Sequence, residues 1–268
     1  NLKQAAALNP RLANAHYNLG LVAQEQGRPD EALAHYTAAL EIQPDYADAC
    51  FLSGKLRLEQ NQYDEALKCF IRVVALRPGD AEAHFALGVS CEKLKRDGDA
   101  IDAYRQAVAL DPGYADAYNN LACLYLNQGK LEEALACNRQ VLALKPVYAE
   151  GYNNLGPIYQ ALGQLDSAVA SYAKALEIKP AYAEAHNNLG AALKALGRFD
   201  EALASLRRAL EINPAYAEAH NNLGAALQAL GQFDGAAASF RRALEIKPDY
   251  AEAHSNLGAA LQTLGQFD

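Results

Sequence analysis

The chain has 268 residues, 51% of them hydrophobic, and a formal net charge of −8 from 24 Lys and Arg against 32 Asp and Glu. The apolar share supplies a core and excludes a disordered chain. A pI near 5.3 argues against nucleic acid, whose binding needs a basic face to displace counterions, and against an anionic membrane surface. No apolar run approaches the ~18 residues of a transmembrane helix, and no signal-peptide pattern opens the chain, so a cytoplasmic location is expected. Residue 1 is Asn, which points to a piece of a longer chain. The five cysteines (Cys50, Cys69, Cys91, Cys123, Cys137) have neither metal-ligand spacing nor the even count of a disulfide framework, and read as small, reduced, half-buried residues.

A fixed period governs the rest. Pro10, Pro44, Pro78, Pro112, Pro146, Pro180, Pro214 and Pro248 follow one another at steps of 34, and only Pro29 and Pro157 stand outside the series. With Ala13 as position 1, seven complete units cover 13–250. Residues 1–12 are the end of an earlier unit and 251–268 the first half of a later one, so the whole of 1–268 reads as a single array. Units 183–216 and 217–250 agree at 27 of 34 positions, which makes the period a true repeat.

Within a unit the apolar spacing is helical. His186, Leu189, Leu193 and Leu196 share one face of a first helix, and Gly197 ends it in a residue that tolerates a left-handed cap. Ala202, Leu206, Ala209 and Leu210 share a face of a second helix, which Pro214 stops for want of an N–H and through its ring. Position 2 is acidic in seven of eight units and sits where a helix dipole favours negative charge. Position 8 is Gly in every unit but one, where it is Ala122, and position 20 is always Ala. Small residues there let two helices cross closely, and a larger side chain costs ~1–3 kcal/mol. A single helix pair cannot bury its faces alone, so neighbours stack into a solenoid.

This unit resembles the tetratricopeptide repeat (TPR): aromatic or His at position 4, Leu at 7, Gly at 8, Ala at 20, aromatic or Leu at 24, Ala at 27 and Pro at 32. The resemblance implies an all-α fold, a right-handed superhelical solenoid of antiparallel helix pairs. First helices would line a concave groove that binds proteins or extended peptides without doing chemistry. Five departures (Ser53 with Arg57, Lys95 with Asp97, and Asn138) fall in the second to fourth units, so the N-terminal half is expected to be less regular.

The first helix would present positions 2, 5, 6, 9, 12 and 13 to the groove. Position 6 holds Asn18, Asn120, Asn154, Asn188, Asn222 and Asn256, and position 5 adds Asn119, Asn153, Asn187 and Asn221. An amide donates and accepts, matching a peptide's C=O and N–H. With first helices ~10 Å apart, one rung meets about every third residue of a strand rising ~3.3 Å per residue. The row resembles the asparagine ladder of O-linked N-acetylglucosamine transferases and their bacterial relatives. The alternative is that Asn is a tolerated solvent residue carried along by duplication. Nearer the N-terminus, Tyr17, Phe51, Leu52, Phe85 and Val89 form either an apolar pocket for a partner's anchor side chain or packing against the next unit. Tyrosines at position 34 read as staples before each first helix. Histidines at position 4 read as packing residues, since copies one unit apart cannot share an ion needing ligands at ~2.0–2.1 Å. Pro157, inside a first helix, is expected to bend it.

No phosphate loop, dinucleotide fingerprint, zinc-protease or nucleophile-elbow motif occurs, and the carboxylates do not converge. The chain therefore reads as a non-enzymatic binding scaffold with no cofactor and no metal. The rival reading is the substrate-recruiting arm of a larger enzyme, in particular a glycosyltransferase. An acidic position 2, with no Lys or Arg at positions 2, 5 or 6, argues against capture of an acidic chaperone C-terminus. Unpaired helix faces at both ends, with Leu2, Ala5 and Leu8 at one and Leu257, Leu261, Leu264 and Phe267 at the other, suggest head-to-tail self-association.

Overall fold

The computed structural model describes residues 12–265 as fifteen α-helices: α1 (Ala13–Glu25), α2 (Pro29–Ile42), α3 (Ala47–Glu59), α4 (Tyr63–Leu76), α5 (Ala81–Lys93), α6 (Asp97–Leu110), α7 (Ala115–Asn127), α8 (Leu131–Leu144), α9 (Ala149–Ala161), α10 (Leu165–Ile178), α11 (Ala183–Ala195), α12 (Phe199–Ile212), α13 (Ala217–Ala229), α14 (Phe233–Ile246) and α15 (Ala251–Leu264). No strand occurs among the described residues. Leu2, Ala5, Leu8 and Phe267 lie outside them, while Leu257, Leu261 and Leu264 are half-buried. The chain forms two compact units, with the boundary between Leu124 and Tyr125 inside the bounds of α7.

In the first unit, α1 packs on α2, α3 on α4 and α5 on α6, and α2 and α4 also pack on the first helices that follow them, α3 and α5. The second unit repeats the plan with α9 on α10, α11 on α12 and α13 on α14. There, successive first helices α9, α11, α13 and α15 also touch one another. Each unit is thus a stack of helix pairs whose core lies between the two helix layers.

Why the pairs close is visible at three positions. Position 20 (Ala32, Ala66, Ala100, Ala134, Ala168, Ala202, Ala236) is completely buried throughout, as expected of a close crossing. Position 24 fills the core with Tyr36, Phe70, Tyr104, Tyr172, Leu206 and Phe240, all at most 1% exposed. The position-8 glycine makes room for that side chain. A Cβ on Gly88 would stand 2.5 Å from Tyr104, and a Cβ on Gly20 or Gly156 would press closer still on Tyr36 or Tyr172. The one unit with Ala at position 8, Ala122, is the one whose position 24 is the smaller Asn138. Where position 24 is Tyr, its hydroxyl donates 2.8 Å to a position-12 side chain: Gln24 for Tyr36, Glu92 for Tyr104 and Gln160 for Tyr172.

The expected irregularity of the N-terminal half does not appear in the backbone. Every first helix from α1 to α13 has 13 residues and every second helix 14. Lys95 and Asn61 take the same left-handed turn, each at φ 60°, that Gly27, Gly129, Gly163, Gly197 and Gly231 take at the equivalent position. Ser53 and Arg57 compensate one another, since the Arg57 Nε donates to Ser53 Oγ at 3.3 Å, one helical turn away. Asn138 is uncompensated: it is fully buried, and neither Oδ1 nor Nδ2 has a hydrogen-bond partner among the described residues. Pro157 does not interrupt α9, which runs unbroken through it.

Candidate functional site

In four repeats a histidine at position 4 ties the first helix to the loop before it. The Nε2 atoms of His84, His186, His220 and His254 lie 3.0, 3.0, 3.0 and 2.8 Å from the carbonyl oxygens of Pro78, Pro180, Pro214 and Pro248. A carbonyl only accepts, so each Nε2 carries the proton. The histidine row is therefore structural, and among the described residues no cluster of three or more metal-ligating side chains exists.

One residue further on, position 5 points into the seam between consecutive repeats. In the first three repeats it is aromatic. Tyr17 and Phe85 pack against the position-34 tyrosines that precede the next first helices, tilted in Tyr17–Tyr46 and edge-on in Phe85–Tyr114, with ring centroids 4.9 Å apart in both. Tyr17, Phe51 and Phe85 also meet the position-24 rings of their own repeats, Tyr36, Phe70 and Tyr104, at 6.0, 5.8 and 5.5 Å. Leu52 joins Tyr17, Leu21 and Leu33 around buried Tyr36 and Leu56, and Val89 is half-buried. These rings are held by the stack itself.

In the second unit the same seam is made of amides. Asn153, Asn187 and Asn221 are 2%, 5% and 1% exposed, so position 5 is not open surface. Asn153 Nδ2 donates to Glu184 Oε1 and Asn221 Nδ2 to Glu252 Oε1, both at 3.1 Å and both reaching position 2 of the next repeat. Asn187 Nδ2 lies 3.5 Å from the Tyr216 hydroxyl and 3.3 Å from Asn188 Oδ1. Each buried Oδ1 then accepts from position 6 of the following repeat: Asn188 Nδ2 to Asn153 Oδ1 at 3.2 Å, Asn222 to Asn187 at 2.9 Å, and Asn256 to Asn221 at 3.0 Å. An amide–amide bond thus crosses each repeat boundary from α9 through α11 and α13 to α15, and Asn187–Asn188 joins two of these bonds within α11.

Position 6 is the exposed edge of that chain. Asn154, Asn188, Asn222 and Asn256 are all half-buried. One N–H of each of Asn188, Asn222 and Asn256 is fixed inward, which orients the amide plane. In the first unit, Asn18, Asn119 and Asn120 are also half-buried, and Asn120 Nδ2 donates to Tyr104 Oη at 3.0 Å.

The electrostatics around this face are acidic but mostly paired. Arg77 bridges Asp48 at 2.8 Å, Lys55 bridges Glu82 at 3.2 Å and Lys179 bridges Glu150 at 2.9 Å. The hydrogen bond from Lys179 holds the Glu150 carboxyl below its usual range. Lys145, Lys179 and Lys247 also lie over the Tyr148, Tyr182 and Tyr250 rings at 5.5, 4.5 and 5.0 Å. Burial first, and neighbouring glutamates second, push the Tyr182 and Tyr250 phenols up to about 12, so they stay protonated donors along the edge.

The residue pattern alone puts positions 5 and 6 on one groove-facing row. The structure separates them into a buried, partnered position and a half-exposed one. The residues carry no mark of that split, since position 5 passes from Tyr17, Phe51 and Phe85 to asparagines while position 6 likewise mixes asparagines with Leu52 and Ala86.

A repeating helix pair with a patterned first-helix face defines a helical-repeat protein. A family model described as TPR repeat matches 124–163, 156–197, 192–231 and 229–265, and models described as tetratricopeptide repeat match 13–46, 51–115 and 103–136. The chain belongs to the tetratricopeptide repeat family. Among solved structures it is similar to a tetratricopeptide repeat protein from Parabacteroides merdae, with TM-score 0.73 and 13% identity over 93% of this chain and 98% of that one. It is also similar to MamA, with TM-score 0.60 and 27% identity over 63% of this chain and 92% of that one. YrrB, a TPR protein described as having an unusual peptide-binding site, matches with TM-score 0.55 and 23% identity over 69% of this chain and 96% of that one. No curated protein matches the sequence. No helix among the described residues is long and apolar enough to cross a membrane.

Proposed function

We propose that the chain is a non-catalytic scaffold that binds an extended segment of a protein partner along the first-helix face, with Asn154, Asn188, Asn222 and Asn256 as rungs contacting its backbone. The observation that carries this reading is the orientation of the row. Each of Asn188, Asn222 and Asn256 is held by a buried asparagine of the preceding repeat. The second N–H of each and the carbonyls of Asn222 and Asn256 are available to an outside group, whereas Asn188 Oδ1 already accepts from Asn187 Nδ2 at 3.3 Å and keeps one lone pair, and a side chain already fixed in place loses little entropy on binding.

The row reads backbone and not side chains, so recognition is tolerant of sequence and weak per rung. Four rungs at ~1 kcal/mol each, less the ordering of the ligand, give affinities on the order of millimolar or weaker. The position-2 acids repel an acidic ligand, so polar or basic segments are preferred over the acidic C-termini of chaperones. Position 5 is a positioning residue: it aims position 6 without touching the ligand.

Titration calorimetry with a library of unstructured polar peptides tests this. Replacing Asn188, Asn222 and Asn256 together by Ala is expected to abolish measurable binding while leaving the helix content intact. Unchanged binding by that variant, or tight binding of an acidic chaperone-tail peptide, refutes the reading.

A further inference from the structure

The cysteines of the second repeat do not behave as five scattered thiols would. Positions 4 and 23, 19 residues apart on the two helices of a pair, face one another in more than one repeat. His16 and His35 approach to 3.5 Å between their Nδ1 atoms. Ser205 Oγ lies 3.5 Å from His186 Nδ1 and donates to the His186 carbonyl at 2.9 Å. In the second repeat both positions are cysteine. Cys50 on α3 donates its S–H to the carbonyl of Cys69 on α4 at 3.4 Å. A Cβ built on Gly54, one turn beyond Cys50, would stand 3.1 Å from the Cys69 Cβ, so the helices run close at this level.

We propose that Cys50 and Cys69 are a redox-active dithiol that closes to an intramolecular disulfide on reaction with a low-molecular-weight disulfide. Both are thiols in this structure. Cys69 is half-buried and Cys50 is 2% exposed, so Cys69 is the sulfur an incoming reagent meets. Hydrogen bonding from the Cys50 side, with Arg57, Ser53 and Arg72 around it, pulls the Cys69 thiol down to about 7 against the effect of burial. Burial instead pushes the Cys91 thiol up, which sets Cys69 apart from it. A thiolate near neutral pH is the attacking species in exchange.

The step balances without another reactant. The Cys69 thiolate attacks one sulfur of the reagent disulfide, forms a mixed disulfide and expels the first small thiolate. The Cys50 thiol then gives its proton to solvent, and its sulfur attacks the Cys69 sulfur and expels the second. Two protein thiols are oxidised, and one reagent disulfide is reduced to two thiols. The bond would join α3 to α4 across the loop at Gln60–Gln62, fixing the helix pair that carries Phe51 and Leu52. Rules of linear cysteine spacing miss such a site because the repeat, not the local sequence, brings the two sulfurs together.

Oxidised glutathione on the full chain tests the proposal. Two of the five thiols should disappear together, with the mass loss of two hydrogens and a single cross-link mapping to Cys50 and Cys69. Cys50→Ser should stop at one glutathione retained on Cys69, and Cys69→Ser should leave Cys50 unmodified. Survival of all five thiols, a glutathione that persists on Cys69 of the unaltered chain, or a cross-link through any other cysteine overturns it. Mapping on the unaltered chain decides by itself, so a variant that fails to fold does not blur the outcome.

Discussion

Residues 13–114 and residues 149–265 share one helix-pair plan and one register, yet they seal the seam between repeats with different chemistry. In the first region position 5 is a ring that packs on the tyrosine just before the next first helix, as in Tyr17–Tyr46 and Phe85–Tyr114. In the second it is a buried asparagine that bonds the next repeat's position 2, or its own repeat's position 34, through its N–H and the next repeat's position 6 through its oxygen. Aromatic burial is strong and nearly non-directional, and it makes no demand on position 6, which there is Asn18, Leu52 or Ala86. An amide is weaker and directional. It must be satisfied when buried, and satisfying it organises the half-exposed row above it. One backbone site thus serves as plain packing in one region and as the foundation of a polar binding edge in another.

The largest effects are expected where both regions obey the same steric rule. Gly156→Ala forces a Cβ into the buried Tyr172 ring and should destabilise the chain by about 3 kcal/mol, visible as a lowered denaturation midpoint. Gly258→Ala is the control, because nothing lies within 4 Å of its Cβ position; the gain in helix propensity should raise stability by ~0.5–1 kcal/mol. If the two substitutions act alike, the position-8 glycines do not serve the position-24 side chains.

Next in size is the seam itself. Phe85→Ala removes contacts with Tyr104 and Tyr114 and should cost about 2 kcal/mol. Asn221→Ala removes the bonds to Glu252 and from Asn256 and should cost about 1 kcal/mol. It should also weaken peptide binding, which Phe85→Ala should leave unchanged. Asn138→Leu, close in shape and without the two unpartnered polar atoms, should stabilise by about 1 kcal/mol in the same denaturation assay.

The smallest effect is a pH slope. Burial, the leading cause, lowers the His186 pKa below its ordinary value of 6.5, so the folded state holds this proton less readily than the unfolded chain does. The stability it contributes is complete above that unfolded value and is lost as pH falls through the folded one. Denaturation between about pH 7.5 and about pH 5.5 should show a shallow decline that His186→Gln flattens.

Much of the fold is legible in the residues because a repeat prints the same instruction many times. Eight prolines at one spacing mark the period, and the invariant Ala at position 20 marks the close crossing. Lys95 and Asp97 mislead because they replace side chains at a turn whose backbone the rest of the repeat enforces. The division of labour between Asn187 and Asn188 is hidden because adjacent residues of identical type carry no mark of which faces inward. Only the packing angle of neighbouring first helices decides that. The histidine bond to the preceding proline carbonyl escapes notice for a similar reason, since a spacing of six residues across a loop has no periodic signature.

Side-chain amide NMR of the chain labelled on asparagine nitrogen, titrated with an unstructured polar peptide, probes the role of the asparagine row most directly. Saturable shifts are expected at the Nδ2 resonances of Asn188, Asn222 and Asn256, with smaller shifts at Asn187 and Asn221. Position-6 amides that stay unperturbed, or binding that perturbs only residues 13–114, would contradict that role.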